Sequence, residues 1–406
     1  MRRFLSIGLA AVTLVACAQR DEIIAVAPDD DGGGGGTGGI GVGGGPMGGG
    51  GTIVPVPLET PDCGGTVDGV AAGSVDAGGA EDVVVGGDGC AALYRGGEET
   101  FSSPETLGLS DAPALALGRL QTLTPASSTE PVDLVIGGAL VEIWLGDGTG
   151  SFAPQQTISP MMPLLPGGVA LADVGGDGAL DLVTAEGTAL VVRFGLGDGT
   201  FGPDHPFASP GGARSVAAGR LDADALADVV AAGDAAMLFI ADGIGGFHAA
   251  QAIEGGDHVG AIAIGELDGD DCLDVVGVEG RPLEPGLPDA LVQLWLGDCD
   301  GHLTLHRSVV VAAPTSVALG DLGDDGHRDV VITRDGGVTV LTLDADAMIA
   351  SEHAIALEGA PRATAFVDGK LVVATGDGAV LLHAPGGGCF FSSLVIRSAR
   401  RAPRSG

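Results

Sequence analysis

A chain of 406 residues with 45% hydrophobic side chains can bury a large core, yet only 3% of it is aromatic while 74 residues are glycine. Small side chains on closely spaced backbones favour turn-rich β-structure over helix. Fifty-four acidic residues against 18 basic ones give a net charge of −36, which repels phosphate backbones and anionic headgroups and excludes nucleic acid as an expected partner. Carboxylates crowded into loops suit divalent cations instead.

In chain order, Met1-Arg2-Arg3 places positive charge ahead of an apolar stretch, Phe4 to Val15, that is too short to span a bilayer and ends at Leu14-Val15-Ala16-Cys17. This pattern resembles a bacterial lipobox. The resemblance implies a signal peptide over 1–16 and a diacylated Cys17 as the mature N-terminus, and Ala18 fits sorting to an outer membrane. The expected location is therefore outside the cytoplasm, on the periplasmic or outer face of the envelope, with the membrane touched only through the lipid. Residues 17–61 are expected to be a flexible tether, because Asp29-Asp30-Asp31 leads into a Gly-rich run, Gly32 to Gly51, with too little apolar surface to offset its ordering entropy.

Across 62–396 the chain repeats one unit. A phrase of small and branched residues recurs as Gly69-Val-Ala-Ala-Gly73, Ala114-Leu-Ala-Leu-Gly118, Gly168-Val-Ala-Leu-Ala172, Ser215-Val-Ala-Ala-Gly219, Ala261-Ile-Ala-Ile-Gly265 and Ser316-Val-Ala-Leu-Gly320. A second phrase follows each, opening with Asp82, Asp133, Asp181, Asp228, Asp274 or Asp329, at intervals of 46 to 55 residues. A third ends in a Gly-Asp turn, as in Val141-Glu-Ile-Trp-Leu-Gly-Asp147. Each phrase is too short for a helix and is bounded by Gly, Asp or Pro, and the period is that of a four-stranded blade. A decayed seventh copy follows at Arg362 to Phe366, Lys370 to Val373 and Ala379 to Leu382, with a last apolar strand at Cys389 to Ile396. The expected fold is all-β, a monomeric seven-bladed β-propeller of four-stranded blades, followed by a basic tail over 397–406.

These phrases resemble the FG-GAP repeats of integrin α chains and of bacterial secreted VCBS-type proteins, over nearly all of 62–396. The family tetrapeptide persists only as vestiges, Phe152-Ala-Pro154 and Phe201-Gly-Pro203. The resemblance implies a calcium loop between first and second strands, with carboxylates at positions one, three, five and nine. The fullest copy is Glu266, Asp268, Asp270 and Asp274. Blade three offers Asp173, Asp177 and Asp181, and blade six Asp321, Asp325 and Asp329. Blade four offers Asp222, Asp224 and Asp228 but has Arg220 at position one, where a guanidinium can replace the metal's charge. Blades one, two and seven lack the set. Calcium is the expected cofactor, ordering loops rather than catalysing.

In an up-and-down blade the one-to-two and three-to-four loops open on one face, so Cys272 and Cys299 are a candidate disulfide. Cys63 and Cys90, both on the opposite face, are a second candidate, and Cys389 is left over. Such pairs fit an oxidising compartment. The eight histidines are scattered, without a zinc helix, nucleophile elbow or phosphate loop. His302 and His306 share one face of a strand, which reads as a solvated surface. The expectation is a protein- or glycan-binding adhesion module without enzymatic activity. A polysaccharide-active enzyme of lyase type, a lectin and an envelope-assembly scaffold are the alternatives.

Overall fold

The structure is a computed structural model that describes residues 56–58, 66–76, 78, 80–97, 101–107, 112–122, 131–279, 289–322, 327–357, 360–367, 370–375, 378–383 and 392–393. It is an all-β propeller. After β1 (Val56–Pro57), blade one comprises β2 (Val67–Gly73), β3 (Asp82–Gly87), β4 (Cys90–Tyr94) and β5 (Glu105–Thr106). Blade two has β6 (Ala114–Gly118), β7 (Asp133–Gly137), β8 (Val141–Gly146) and β9 (Phe152–Ile158). Blade three has β10 (Val169–Ala172), β11 (Asp181–Arg193) and β12 (His205–Ala213). Here β11 takes the place of two strands: its first half pairs with β10 and its second with β12, on either side of Gly187, whose φ of 73° is left-handed.

Blade four has β13 (Ser215–Gly219), β14 (Asp228–Ala232), β15 (Ala235–Phe239) and β16 (Gln251–Asp257). Blade five has β17 (Val259–Gly265), β18 (Asp274–Glu279), β19 (Asp289–Gly297) and β20 (Leu303–Ala312). Blade six has β21 (Pro314–Gly320), β22 (Asp329–Arg334), β23 (Gly337–Leu343) and β24 (Ile349–Ala356). The remaining strands are β25 (Pro361–Val367), β26 (Lys370–Thr375), β27 (Gly378–His383) and β28 (Ser392–Ser393).

Where seven equal copies are expected, six blades follow the regular plan of consecutive strands and the last sheet is composite. It joins β25, β26 and β27 to β1 from ahead of blade one and to β28. The expected last strand, Cys389 to Ile396, is represented only by β28; its remaining residues lie outside those described. The ring nevertheless closes, because β25 packs against β2 just as each inner strand packs against the next.

The recurring small-residue phrase has a packing cause. The glycine that ends one inner strand receives a branched or aromatic side chain from the inner strand of the next blade. A Cβ at Gly118 would stand 2.9 Å from Leu171, at Gly219 3.0 Å from Ile264 and at Gly265 3.0 Å from Leu319, and one at Gly320 would meet the Phe366 ring. Larger residues there would force the blades apart. The core is accordingly a set of clusters between adjacent sheets. Inner-strand positions such as Ala217 are small, and the large residues Leu134, Ile136, Leu182 and Trp295 are fully buried.

Candidate functional site

The aspartate that opens each second strand is buried in all six regular blades. One carboxylate oxygen accepts a backbone N–H from the preceding loop: Val75 (2.8 Å), Leu120 (2.9 Å), Val174 (2.9 Å), Leu221 (2.8 Å), Leu267 (2.6 Å) and Leu322 (2.8 Å). The other oxygen accepts an N–H at the end of the third strand in five of them: Gly96 (2.7 Å), Gly146 (2.9 Å), Gly195 (2.8 Å), Ala241 (2.9 Å) and Gly297 (2.8 Å). In these five blades the aspartate therefore staples its one-to-two loop to the far side of its own sheet. Burial raises the carboxyl pKa of Asp82, Asp133 and Asp181. Burial, with nearby carboxylates adding to it, pushes Asp228 up to about 6 and Asp274 up to about 7.

The acidic loops differ from one another. In blade five, between β17 and β18, Glu266, Asp268 and Asp274 each bring an oxygen within 4.8 Å of the others. Asp268 Oδ1 is buried without a hydrogen-bond partner, and its carboxyl pKa is raised first by burial and then by Asp270 and Glu266. Asp270 stands outside this trio: it is exposed, and its Oδ1 accepts the Cys272 N–H at 2.8 Å. A disulfide joins Cys272 to Cys299, with Cα atoms 5.1 Å apart, and ties this loop to the three-to-four loop of the same blade.

In blade three, Asp173 turns inward on its own loop, accepting the N–H groups of Gly176 (2.6 Å), Asp177 (3.2 Å) and Gly178 (2.9 Å), while Asp177 accepts that of Ala179 (2.9 Å). Asp181 is the staple. In blade four, Asp222 accepts the Asp224 N–H (2.9 Å) and Asp224 the Leu226 N–H (2.7 Å), with Asp228 as staple and Arg220 exposed. In blade six, Asp321 is half-buried and the buried Asp329 accepts the Leu322 N–H, whereas Asp325 lies outside the described residues. Cys17, Cys63 and Cys389 also lie outside them, as does the Cys90 side chain.

Two charged groups had no sequence signal. In blade one, Arg95 Nη1 donates to Asp76 Oδ2 (2.9 Å) and to the Thr149 carbonyl of blade two (2.6 Å), and the guanidinium also pairs with Glu105. Its charge sits where an acidic loop meets the next blade. In blade three, Arg193 is fully buried against Glu186 (3.0 Å), Asp204 (2.6 Å) and Thr184 (2.9 Å).

The three-to-four loops form a second recurring set. Asp147, Asp242, Asp298 and Asp344 each accept two backbone N–H groups, two and four residues ahead, as Asx turns do. Isolated bridges connect these loops to the one-to-two loop of the preceding blade: Asp76 to Thr149, Gln121 to Asp198, and Asp222 to Asp300. Both loop sets thus meet on one face of the ring. His302, beside Asp298 Oδ2 at 3.2 Å, and His306 are exposed there or on the adjoining strand.

Residues 173–231 match a family model described as an FG-GAP-like repeat. The span runs from the acidic loop of blade three into β14. No curated protein matches the sequence. Among solved structures, the chain resembles an Agrocybe aegerita lectin that specifically recognises non-reducing terminal N-acetylglucosamine, at 19% identity and a TM-score of 0.50, covering 74% of this chain and 81% of that one. It also resembles BBS1N, solved in complex with ARL6DN, at 14% identity and a TM-score of 0.53, covering 81% of this chain and 93% of that one. At these identities the likeness is one of fold.

Proposed function

We propose that this propeller with its FG-GAP-like repeat is a calcium-stabilised binding module, held at the envelope by lipid on Cys17 and a glycine-rich arm, and presenting loops to a protein or glycan without catalysing a reaction. The observation that carries the cation is the trio Glu266, Asp268 and Asp274, with an oxygen of Asp268 buried and unpartnered. A hard cation that takes six to eight oxygens would satisfy that oxygen and relieve the repulsion among three carboxylates. These three residues would hold it, while Asp274 keeps its two amide bonds. Bound there, calcium would supply charge neutralisation and nothing more.

Support for binding comes from the scaffold. Two loop sets converge on one face, and both solved relatives are described through what they engage, a terminal sugar in one case and a protein in the other. The low share of aromatic residues leaves few rings for stacking on sugars, which favours a protein partner over a glycan.

Calorimetric titration of calcium into the chelator-treated mature chain tests the cation, with Asp268→Asn as the comparison. Heat of binding in the parent and its loss in the variant are expected; identical melting curves with calcium and with chelator would end this reading. Glycan arrays and co-purification, each with and without calcium, test the partner. Cys17→Ser should leave the membrane fraction, and a variant that stays there refutes the anchor.

A further inference from the structure

The loop that gathers the acids of blade five also carries a covalent tie. Cys272 lies inside it, between Asp268 and Asp274, and its partner Cys299 lies between Asp298 and Asp300 in the loop that joins β19 to β20. Asp274 runs the same way, spanning the two loops through the Leu267 and Gly297 N–H groups. The Cys272 N–H is donated to Asp270 Oδ1, which keeps that carboxylate out of the trio. Asp271, the residue before Cys272, and Cys299 itself hold left-handed backbone, with φ of 68° and 57°. Residues other than glycine adopt that region at a cost, so a constraint must hold both there. The acidic loops of blades three and four have Ala179 and Leu226 where this one has Cys272. In those loops Asp173 and Asp222 are closed by amides of their own loop instead.

We propose that the Cys272–Cys299 disulfide is a redox control on the cation site of blade five. Oxidised, it holds Asp268 beside Glu266 and Asp274; reduced, it releases the loop and lowers the affinity for calcium. The inference rests on the cation reading given above. A dithiol performs the step. Its thiolate attacks one sulfur, its second thiol resolves the mixed disulfide, and it leaves as its own disulfide while its two protons end on the Cys272 and Cys299 sulfurs. Cys299 is half-buried where Cys272 is buried, so it is the more accessible of the pair. Asp274 keeps its two amide bonds after reduction, so the trio loses the placement of Asp268 rather than its base. The coupling is reciprocal: a cation that favours the cross-linked loop makes the cross-link harder to reduce by the same factor.

Calorimetric titration of calcium into the oxidised mature chain and into the chain carrying both Cys272→Ser and Cys299→Ser reads this coupling. The double-serine chain should bind roughly 10-fold more weakly. Equal dissociation constants overturn the control and leave the cation reading standing, whereas no heat in either form removes both. Should the double-serine chain fold poorly, the parent alone gives the reciprocal measurement. It is equilibrated at rising ratios of reduced to oxidised dithiothreitol, alkylated, and read at Cys272 and Cys299 by mass spectrometry. Saturating calcium should raise the ratio needed for half-reduction roughly 10-fold over chelator, and Glu266→Gln should abolish the shift. An unchanged midpoint, or a shift that survives Glu266→Gln, overturns the proposal. A cross-link that only stabilises the fold would lower the melting temperature on removal and leave both readings where they were.

Discussion

Asp133→Ala isolates the staple from any cation, because blade two has no acidic loop beside it. The carboxylate accepts the Leu120 N–H (2.9 Å), the Gly146 N–H (2.9 Å) and, more weakly, Gln121 Nε2 (3.3 Å). Truncation orphans two backbone donors, one of them buried, at about 1–3 kcal/mol each. Gln121 can turn to water and adds little. Against this stands the cost of burying the carboxylate, which its raised pKa records, so the net loss should be about 2–4 kcal/mol. Asp133→Asn, which keeps one acceptor, should fall between. Urea unfolding reads this as a lower midpoint with an unchanged slope. The cost should be equal in calcium and in chelator. A loss below about 1 kcal/mol, or one that depends on calcium, would refute the staple as the reason for the recurring aspartate.

The buried carboxyl of Asp228 carries a sign that can be read in pH. Its folded pKa of about 6 lies above the ordinary carboxylate value, so its contribution to stability is present below that ordinary value and lost as pH rises through about 6. In chelator, the melting temperature of the parent relative to Asp228→Asn should fall between pH ~4 and ~6.5 and level off above; a flat or rising difference across that window contradicts it. Removing the disulfide with Cys272→Ser and Cys299→Ser, whose sequence separation is 27, should cost about 3–4 kcal/mol by loop-closure entropy, measured by the same urea assay. Arg95→Met should cost about 1 kcal/mol, since its ion pairs are partly exposed, and the loss should shrink in high salt while remaining blind to calcium.

The fold was legible because its packing is periodic. An inner-strand glycine must sit opposite a branched or aromatic residue of the next blade, so the pattern survives in sequence at Gly118, Gly219, Gly265 and Gly320. The composite sheet was not legible, because β1 pairs with β27 through two residues brought together across more than 300 positions and leaves no local pattern. At the site, the aspartates were found but their recurrence has a cause other than calcium. Asp82 and Asp133 make the staple in blades that lack the full set of loop carboxylates. Position nine therefore reports the blade, and only positions one and three can report a cation. Arg95 was missed because its partner carbonyl, that of Thr149, belongs to another blade.

The described loops answer one electrostatic problem, a carboxylate crowded near its neighbours, in three ways, and that difference sets the expected calcium stoichiometry. In blade one the guanidinium of Arg95 supplies the charge beside Asp76. In blades three and four the loop's own amides fill Asp173, Asp177, Asp222 and Asp224. Only in blade five, among the described residues, do three acids meet with a buried oxygen left over. With blade six removed from the count by Asp321→Asn and Asp325→Asn, titration should find one site rather than three. One site at a hundredfold excess over its dissociation constant adds about 2.7 kcal/mol to stability, and three such sites would add about 8. A measured stoichiometry near three would mean that the amides of blades three and four yield to the ion, and the distinction drawn among these loops would fall. A value near one, abolished by Glu266→Gln, would place the cation between β17 and β18 and leave the other acidic loops as turns closed by their own backbone.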